Sequence, residues 1–529
     1  MAKKQMKSLA KDTAIYGVSS IVSKFVNWLL VPYYTHVLAQ AADYGIVTQL
    51  YAWTALLLVI LTYGMETGLF RFINKENENP NSVYRTTLVS VGSTSLLFGI
   101  LAVVFSPQIA GFLKIAPHPE YIWMLGVSVA LDASACIPFA YLRYRKMPVR
   151  FAALKLLYVL LNVAFNLFFF TVCPYLMHHA PQTVSWFYNP AYGVGYVFVS
   201  NIISTTLQTL FLIPYIFGTK SKEQRAETKD KRQKTKDIDG ADLQSVPVET
   251  FDFNLLKRIL KYSLPLLLLG IMGILDQTLD KILYPYLRTA ASGATELGIY
   301  GATSKIALIM LVFTQAFRYA YEPFVFGQKQ DTDSRQSYVK AMTYFVIFSW
   351  LIFLGMTFYI DVFKLWNFIK PEYWAGFEIV PIVLVSFIFQ GVYFNLSIWY
   401  KLTDKTMYGA IFSAVGTAII LLGNVLFVSR FGYFACVWAA FACYFVIMVL
   451  SYIFGQKYMP LKYELKKMGF YTALALAFFA LSHLLQTPYG WLNYAVKTIL
   501  LIIFILIFVK NDLPTEKIPF LNSILKKKL

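Results

Sequence analysis

The chain has 529 residues, 58% of them hydrophobic and 14% charged, with a formal net charge of +19 and a mean hydropathy of +0.56. A soluble domain carries about a quarter charged residues, so the composition excludes an ordinary water-soluble protein. The apolar residues stand in blocks of roughly 20 or more, the length of helix that crosses about 30 Å of hydrocarbon. A membrane barrel would show segments of about ten alternating residues instead. The chain therefore reads as an all-α polytopic membrane protein with about fourteen transmembrane helices.

In chain order, Lys3, Lys4, Lys7 and Lys11 precede a first span at 13–36. That span is longer than a secretory signal's apolar core, contains Lys24 and lacks a small-x-small cleavage site, so an uncleaved anchor is expected. Spans follow at 45–69, 86–110, 120–142, 151–176 and 191–217. Gly64 and Gly68, four residues apart, predict close helix packing at the end of the second. The segment from 218 to 255 is dense in Lys, Asp and Glu and has almost no large apolar residue before Leu243. It lacks burial capacity and reads as a cytoplasmic linker. Eight further spans are expected at 258–287, 297–326, 338–361, 376–399, 407–429, 433–455, 468–486 and 491–509. The tail from Lys517 to Leu529 alternates apolar residues with lysine and reads either as lying on the inner leaflet or as disordered.

The basic excess follows this span order. Arg143, Arg145, Lys146 and Arg150 follow the fourth span, Lys329, Arg335 and Lys340 the eighth, and Lys457, Lys462, Lys466 and Lys467 the twelfth. The opposite-side loops hold only Lys114, Arg288, Lys364, Lys370 and Arg430. This asymmetry places both termini in the cytoplasm and accounts for the charge through topology and anionic lipids. No nucleic-acid partner is required.

A constant offset carries residues 14–72 onto 267–325 without a gap. Gly17 meets Gly270, Leu30-Val31-Pro32-Tyr33 meets Leu283-Tyr284-Pro285-Tyr286, and Asp43-Tyr44-Gly45-Ile46 meets Glu296-Leu297-Gly298-Ile299. An even number of spans separates the copies, so both enter the membrane in the same orientation. Parallel repeats of this kind are a transporter signature, with the substrate site between the halves.

Energy-coupling and enzyme motifs are mostly absent. Gly218-Thr219-Lys220-Ser221 resembles the end of a phosphate loop, but Ile213 stands where its first glycine belongs and a membrane helix precedes it. Asp331-Thr332-Asp333 has the carboxylate spacing of a nucleotide-sugar site but sits in a short loop, which favours a solvated loop end. Cys136, Cys173, Cys436 and Cys443 all lie within spans and form no Cys-x-x-Cys pair. His178-His179 has no Cys, Asp or Glu beside it, so no metal site is expected. A membrane glycosyltransferase or polymerase would need large outward loops rich in Asp, Glu or His.

Charges inside spans are costly and are the default functional candidates. Lys24 lies near the middle of the first span, with Ser20 and Asn27 on its face. Asp276 and Asp280 stand one helical turn apart in the seventh span, with Gly273 on the same stripe and Lys281 adjacent. The offset maps Lys24 onto Gln277 and Asn27 onto Asp280, as expected if both copies line one central cavity. Lys305, Arg318 and Glu322 continue the polar lining down the eighth span. Glu66 and Arg71 sit near the inner end of the second, and Asp132 and Lys155 lie in the fourth and fifth. Lys24, Lys281 and Lys305 admit two readings, as partners of acids or as ligands of an anionic cargo. Arg71, Arg318 and Glu322 read first as interfacial. Two ionised carboxylates at mid-membrane repel, so Asp276 and Asp280 suit a site for a coupling H⁺ or Na⁺.

Leu9-Ala10-Lys11-Asp12-Thr13, Tyr16-Gly17, Ser23-Lys24, Pro32-Tyr33-Tyr34-Thr35 and Asp43-Tyr44-Gly45 resemble the opening of polysaccharide biosynthesis proteins. Gly64, Gly68 and Leu69-Phe70-Arg71-Phe72 resemble the end of that family's second span. These are the Wzx-type oligosaccharide flippases of the multidrug/oligosaccharidyl-lipid/polysaccharide (MOP) superfamily, and the motifs cover roughly the first 75 residues. The resemblance implies two pseudo-symmetric six-helix lobes (1–217 and 256–456) around a central cavity, with two C-terminal helices and a basic tail over 457–529. It implies an undecaprenyl-diphosphate-linked oligosaccharide as cargo, with Lys24 as a cavity cation. It also implies a bacterial inner-membrane location, no cofactor, and a polysaccharide polymerase and chain-length regulator as partners. The carboxylate pair of the seventh span has no match in the family pattern. A multidrug or lipid II exporter would share the fold.

Overall fold

The computed structural model describes the backbone of residues 2–75, 78–216, 251–327 and 332–512. Within these, the side chains at 2–16, 18–20, 216, 290, 291, 320, 322–327 and 332–334 are not described. The charged linker up to residue 250, the basic tail and the Glu322 and Asp331-Thr332-Asp333 side chains therefore lie outside the described residues; the last residues assigned to the linker, from Phe253, instead open a helix.

Among the described residues every regular element is helical. Among the described residues twelve helices are long and apolar enough to cross a membrane, or thirteen when a bent pair, Ser292–Ile306 with Leu308–Tyr319 at 43°, is taken as one span. The first expected span lies within a further helix, α1 (Ala2–Val37). The molecule is a multi-pass membrane protein. Many hydroxyls within the spans donate to the carbonyl four residues earlier, as for Thr87 on Val83 (2.8 Å), Ser128 on Met124 (2.9 Å) and Ser349 on Phe345 (2.7 Å). In hydrocarbon no water would serve these groups, so the helix itself must.

The chain divides into two compact units, Met1–Leu30 with Ile46–Ile282, and Val31–Gly45 with Leu283–Leu529. In the first unit, α2 (Ala41–Thr62) breaks at Tyr63 and Gly64, both left-handed (φ 30° and 70°), before α3 (Met65–Ile73). Gly64 thus does more than permit close packing. It is the left-handed residue that lets α3 change direction. Both glycines abut the helix Phe253–Leu287: a side-chain carbon at Gly64 would meet the Ser263 carbonyl, and one at Gly68 the Ser263 hydroxyl and Ile259.

Pro80 opens α4 (Pro80–Val104) at its first position, where no donor is lost, and Asn79 caps it by accepting from Asn81 N (2.9 Å). After α5 (Ser106–Phe112), α6 (Pro119–Tyr144) packs on α4, and α7 (Pro148–Leu167) continues through a turn of π-helix into α8 (Cys173–His179). The short α9 (Pro181–Val184) leads to α10 (Gly195–Ile216), which packs on both α6 and α7. The helix Phe253–Leu287, α11, is capped by Asp252, whose carboxylate accepts from Leu255 N (3.0 Å). Met65, Leu69 and Phe72 of α3, Val83 of α4, Ile137 of α6 and Ile259 of α11 form one buried core.

In the second unit, α12 (Ala290–Ile306) and α13 (Leu308–Gly327) form the bent pair, followed by α14 (Thr332–Phe358) and α15 (Ile360–Leu365). A 3₁₀ segment (Pro371–Ile379) enters α16 (Val380–Leu396), continued by α17 (Ile398–Leu402). The short separation expected near residue 430 is real: α18 (Met407–Phe431) ends at Gly432, with φ +58°, and α19 (Tyr433–Tyr458) begins at the next residue. The final pair, α20 (Leu465–Leu484) and α21 (Gly490–Asp512), docks on α14. Asp512 joins it at one end, receiving Lys467 and Tyr471, while its carbonyl accepts from Tyr344 (3.0 Å). Towards the other end, Lys497 reaches Asp361 (3.6 Å) and Tyr359 bonds Thr498 (2.7 Å).

Candidate functional site

The carboxylates of α11 are buried: Asp276 is 8% and Asp280 6% exposed, with Thr278 buried between them. Lys281 holds Asp280 directly. Its Nζ lies 3.0 Å from Asp280 Oδ2, donates to the Gln277 carbonyl (3.1 Å), and its backbone N–H donates to Asp280 Oδ1 (2.9 Å). A charge taken into a span at least cost is paired and hydrogen-bonded, and Asp280 meets both conditions. Open space lies beside Gly273, one turn before Gln277, and exposed Gln277 donates to the Gly273 carbonyl (3.1 Å). The stripe Gly273–Gln277–Lys281 is thus the accessible edge of α11, with the two carboxylates behind it. In the same unit, Lys24 and Asn27 are exposed on α1.

Lys305 and Arg318 belong to the second unit. Lys305 stands in the last turn of α12, just before the bend, where a cation faces the helix's negative end. Its Nζ donates to the hydroxyl of fully buried Tyr44 (3.0 Å). Tyr44 in turn meets Tyr373 edge to face, with ring centres 6.2 Å apart. The Arg318 guanidinium lies over the Phe394 ring (4.8 Å), a cation–π contact. The structure therefore pairs Asp280 with Lys281 in one unit and gives Lys305 and Arg318 aromatic partners in the other. Arg71 lies over Tyr262 (4.2 Å) rather than reaching out alone.

The repeat has a physical counterpart in the second unit. A side-chain carbon at Gly45 would meet the backbone of Ala294 and Gly298, and one at Gly298 the backbone of Ala41 and Gly45. The sequence offset that maps Gly45 onto Gly298 also maps Ala41 onto Ala294. Each copy thus presents the same patch to the other, the isologous contact expected of two-fold symmetry. Only glycine allows two backbones this close.

Around this crossing, Glu372 accepts from Ala41 N (2.8 Å) and so caps α2. Lys370 reaches the Ala39 carbonyl (3.4 Å). Arg288 pairs with Glu296 (2.5 Å) and donates to the Ser429 carbonyl (3.0 Å), and Tyr284 also donates to Glu296. Loops expected on the outward side thus converge here, and their cations Arg288, Lys364 and Lys370 each sit beside a carboxylate. Sequence reasoning did not single out Tyr44, Tyr373, Glu372, Arg288 or Glu296 as site residues. For Tyr44 and Glu296 the repeated motif was a usable signal. For Glu372 there was none.

A lipid II flippase, MurJ, in an inward closed conformation, aligns over 93% of this chain and 99% of its own, with a TM-score of 0.67 at 12% identity. An inward-facing multidrug-resistance MATE transporter of the MOP superfamily aligns over 82% of this chain and 94% of its own, with a TM-score of 0.60 at 11% identity. A Vibrio cholerae MATE transporter aligns over 86% and 96%, at 0.51 and 15%. The chain has a MOP-type fold. At such identities the likeness speaks for the fold alone, and the MOP-type fold accommodates both helix count and internal repeat. No protein-family model matches the sequence, and no curated protein aligns with it significantly.

Proposed function

We propose that this chain is a transporter, not an enzyme, and flips an undecaprenyl-diphosphate-linked oligosaccharide, an O-antigen, capsule or exopolysaccharide repeat unit, across the bacterial inner membrane by alternating access. The observation that carries the flippase part of this reading is the likeness to a lipid II flippase across 93% of the chain. The N-terminal motifs add support from the sequence side. A diphosphate carries about two negative charges, and cations at membrane depth are the natural groups to hold it. In this reading Lys24, Asn27, Lys281, Lys305 and Arg318 contact the cargo. Asp276 and Asp280 bind a coupling H⁺ or Na⁺, with Lys281 as the internal counter-charge while the ion is away. Both termini lie in the cytoplasm, and a polysaccharide polymerase and chain-length regulator receive the flipped unit.

Export of lipid II or of a drug by the same fold is the competing reading, supported as directly by the likeness to the lipid II flippase and to MATE transporters. Purified protein in liposomes, offered fluorescent undecaprenyl-diphosphate oligosaccharide, lipid II and a cationic dye in parallel, separates them. Preferential flipping of the oligosaccharide is expected. Equal or greater movement of lipid II or dye would overturn the cargo assignment.

A further inference from the structure

A second group of ionisable side chains lies inside the first unit, away from α11. Asp132 stands near the midpoint of α6, the position farthest from water in a helix that crosses a membrane. Among the described residues it makes no hydrogen bond and no ion pair within 4 Å, yet Lys155 of α7 is within electrostatic reach. Lys155 itself sits over the Phe139 ring (4.1 Å). Tyr158, one turn along α7, is within electrostatic reach of Asp132 and Tyr51 and accepts from Asn201 of α10 (2.9 Å), with Thr205 beside it. Towards the end of α6, Lys155 also feels Glu66, Arg143 and Cys136. Glu66 and Arg143 form an ion pair there, and Arg143 keeps a buried Nε without an acceptor. No ionisable group of α4 takes part.

A carboxylate held at mid-membrane without a direct partner is costly and marks a functional position by default. Its ligand can be narrowed from its neighbours. The ammonium beside this single carboxylate opposes a metal cation, and no group of three or more His, Cys, Asp and Glu gathers among the described residues. A proton needs only one acceptor. We propose that Asp132, with Lys155 as its counter-charge, is a proton-binding site, reached from the end of α6 that carries the Glu66–Arg143 pair. A proton from water on that side converts the carboxylate to the acid, which can then donate to the Tyr158 hydroxyl. Release returns the proton to water and restores the Asp132–Lys155 charge pair. The site gains one positive charge when loaded, the quantity on which a membrane gradient acts. Its use in coupling rests on the transport reading above; its proton binding does not.

The test is an infrared titration of the full-length protein in lipid nanodiscs, following the carboxylic-acid band against pH. Wild type is expected to show a titrating component that Asp132→Asn loses and Asp132→Glu keeps. Lys155→Gln should move the midpoint of that component by about one pH unit or more, and Lys155→Arg should leave it nearly in place. An unchanged titration in Asp132→Asn overturns the proposal. So does one in Lys155→Gln, which settles the matter if Asp132→Asn does not fold. In liposomes, stimulation of flipping by an imposed pH gradient should fall about tenfold in Asp132→Asn, the range of a lost proton-transfer group. A titrating Asp132 in a protein that moves no lipid-linked oligosaccharide would refute the cargo and leave the proton site standing.

Discussion

Gly45 and Gly298 show how much one missing carbon can decide. Each lies against the other's backbone, so a valine at either must push two helices apart. Gly45→Val and Gly298→Val should each lower the stability of the purified protein by about 1–3 kcal/mol, the usual cost of overpacking. The double variant should cost little more than either single one, because both break one crossing and the energies are not independent. Thermal unfolding in detergent reads this directly, and full additivity would count against a shared contact. Lys24 makes a different kind of claim. Lys24→Ala is expected to impair flipping of lipid-linked glycan with protein abundance unchanged, and Lys24→Arg to retain part of it, since an exposed side chain contributes little to folding. Normal transport by Lys24→Ala would place the cargo elsewhere. The glycines were visible in the sequence as repeated positions, but their mutual contact was not. The Glu372 cap on Ala41 was invisible, because 331 residues separate the partners and no local pattern records such a meeting.

At the scale of elements, apolar block length was the dependable signal, and helices stand where the blocks are. Breaks were harder. The one at Gly432 was legible because an arginine and a glycine interrupt two apolar runs. The one at Tyr63 and Gly64 was not, because α11 packing on α3 fixes it, and that contact lies far along the chain. The carboxylates of α11 were legible as costly charges, whereas the grip of Lys281 on Asp280 depends on a side-chain rotamer that no sequence pattern records. Asp276→Asn or Asp280→Asn is expected to uncouple flipping from an imposed pH or Na⁺ gradient while cargo still binds. Gradient-stimulated flipping that survives in both would reduce the pair to partners for lysines. The C-terminal pair offers a stability test. Asp512 accepts both Lys467 and Tyr471, and its side chain is only 4% exposed. Asp512→Asn should loosen α20 and α21 from α14 at a cost of about 1–3 kcal/mol, the range for a buried polar group that loses its partner. Faster proteolysis between residues 457 and 512, with the rest of the chain intact, would report it.

For the whole molecule, fold class and repeat were both readable, because hydrocarbon thickness fixes helix length and duplication leaves an offset. The cargo was not readable to the same depth, since the MOP-type fold is shared by proteins that move different molecules. Topology can be tested independently of cargo. A reporter active only in the periplasm should stay silent when inserted between 218 and 250, a cytoplasm-active one should be bright, and deleting the segment should leave the fold intact. The opposite pattern would invert every loop assignment made from lysine placement. The glycine crossing also bears on descent. A substitution in one copy of a duplicated gene is normally tolerated or rejected by its own surroundings, but here each copy is judged by the other. The atoms in the way at Ala41 and Ala294 include backbone carbonyl oxygens, which no replacement of those alanines can shrink. Drift at either glycine therefore has no local remedy, and the two halves of this chain remain bound to a common history at that point however far the rest diverges.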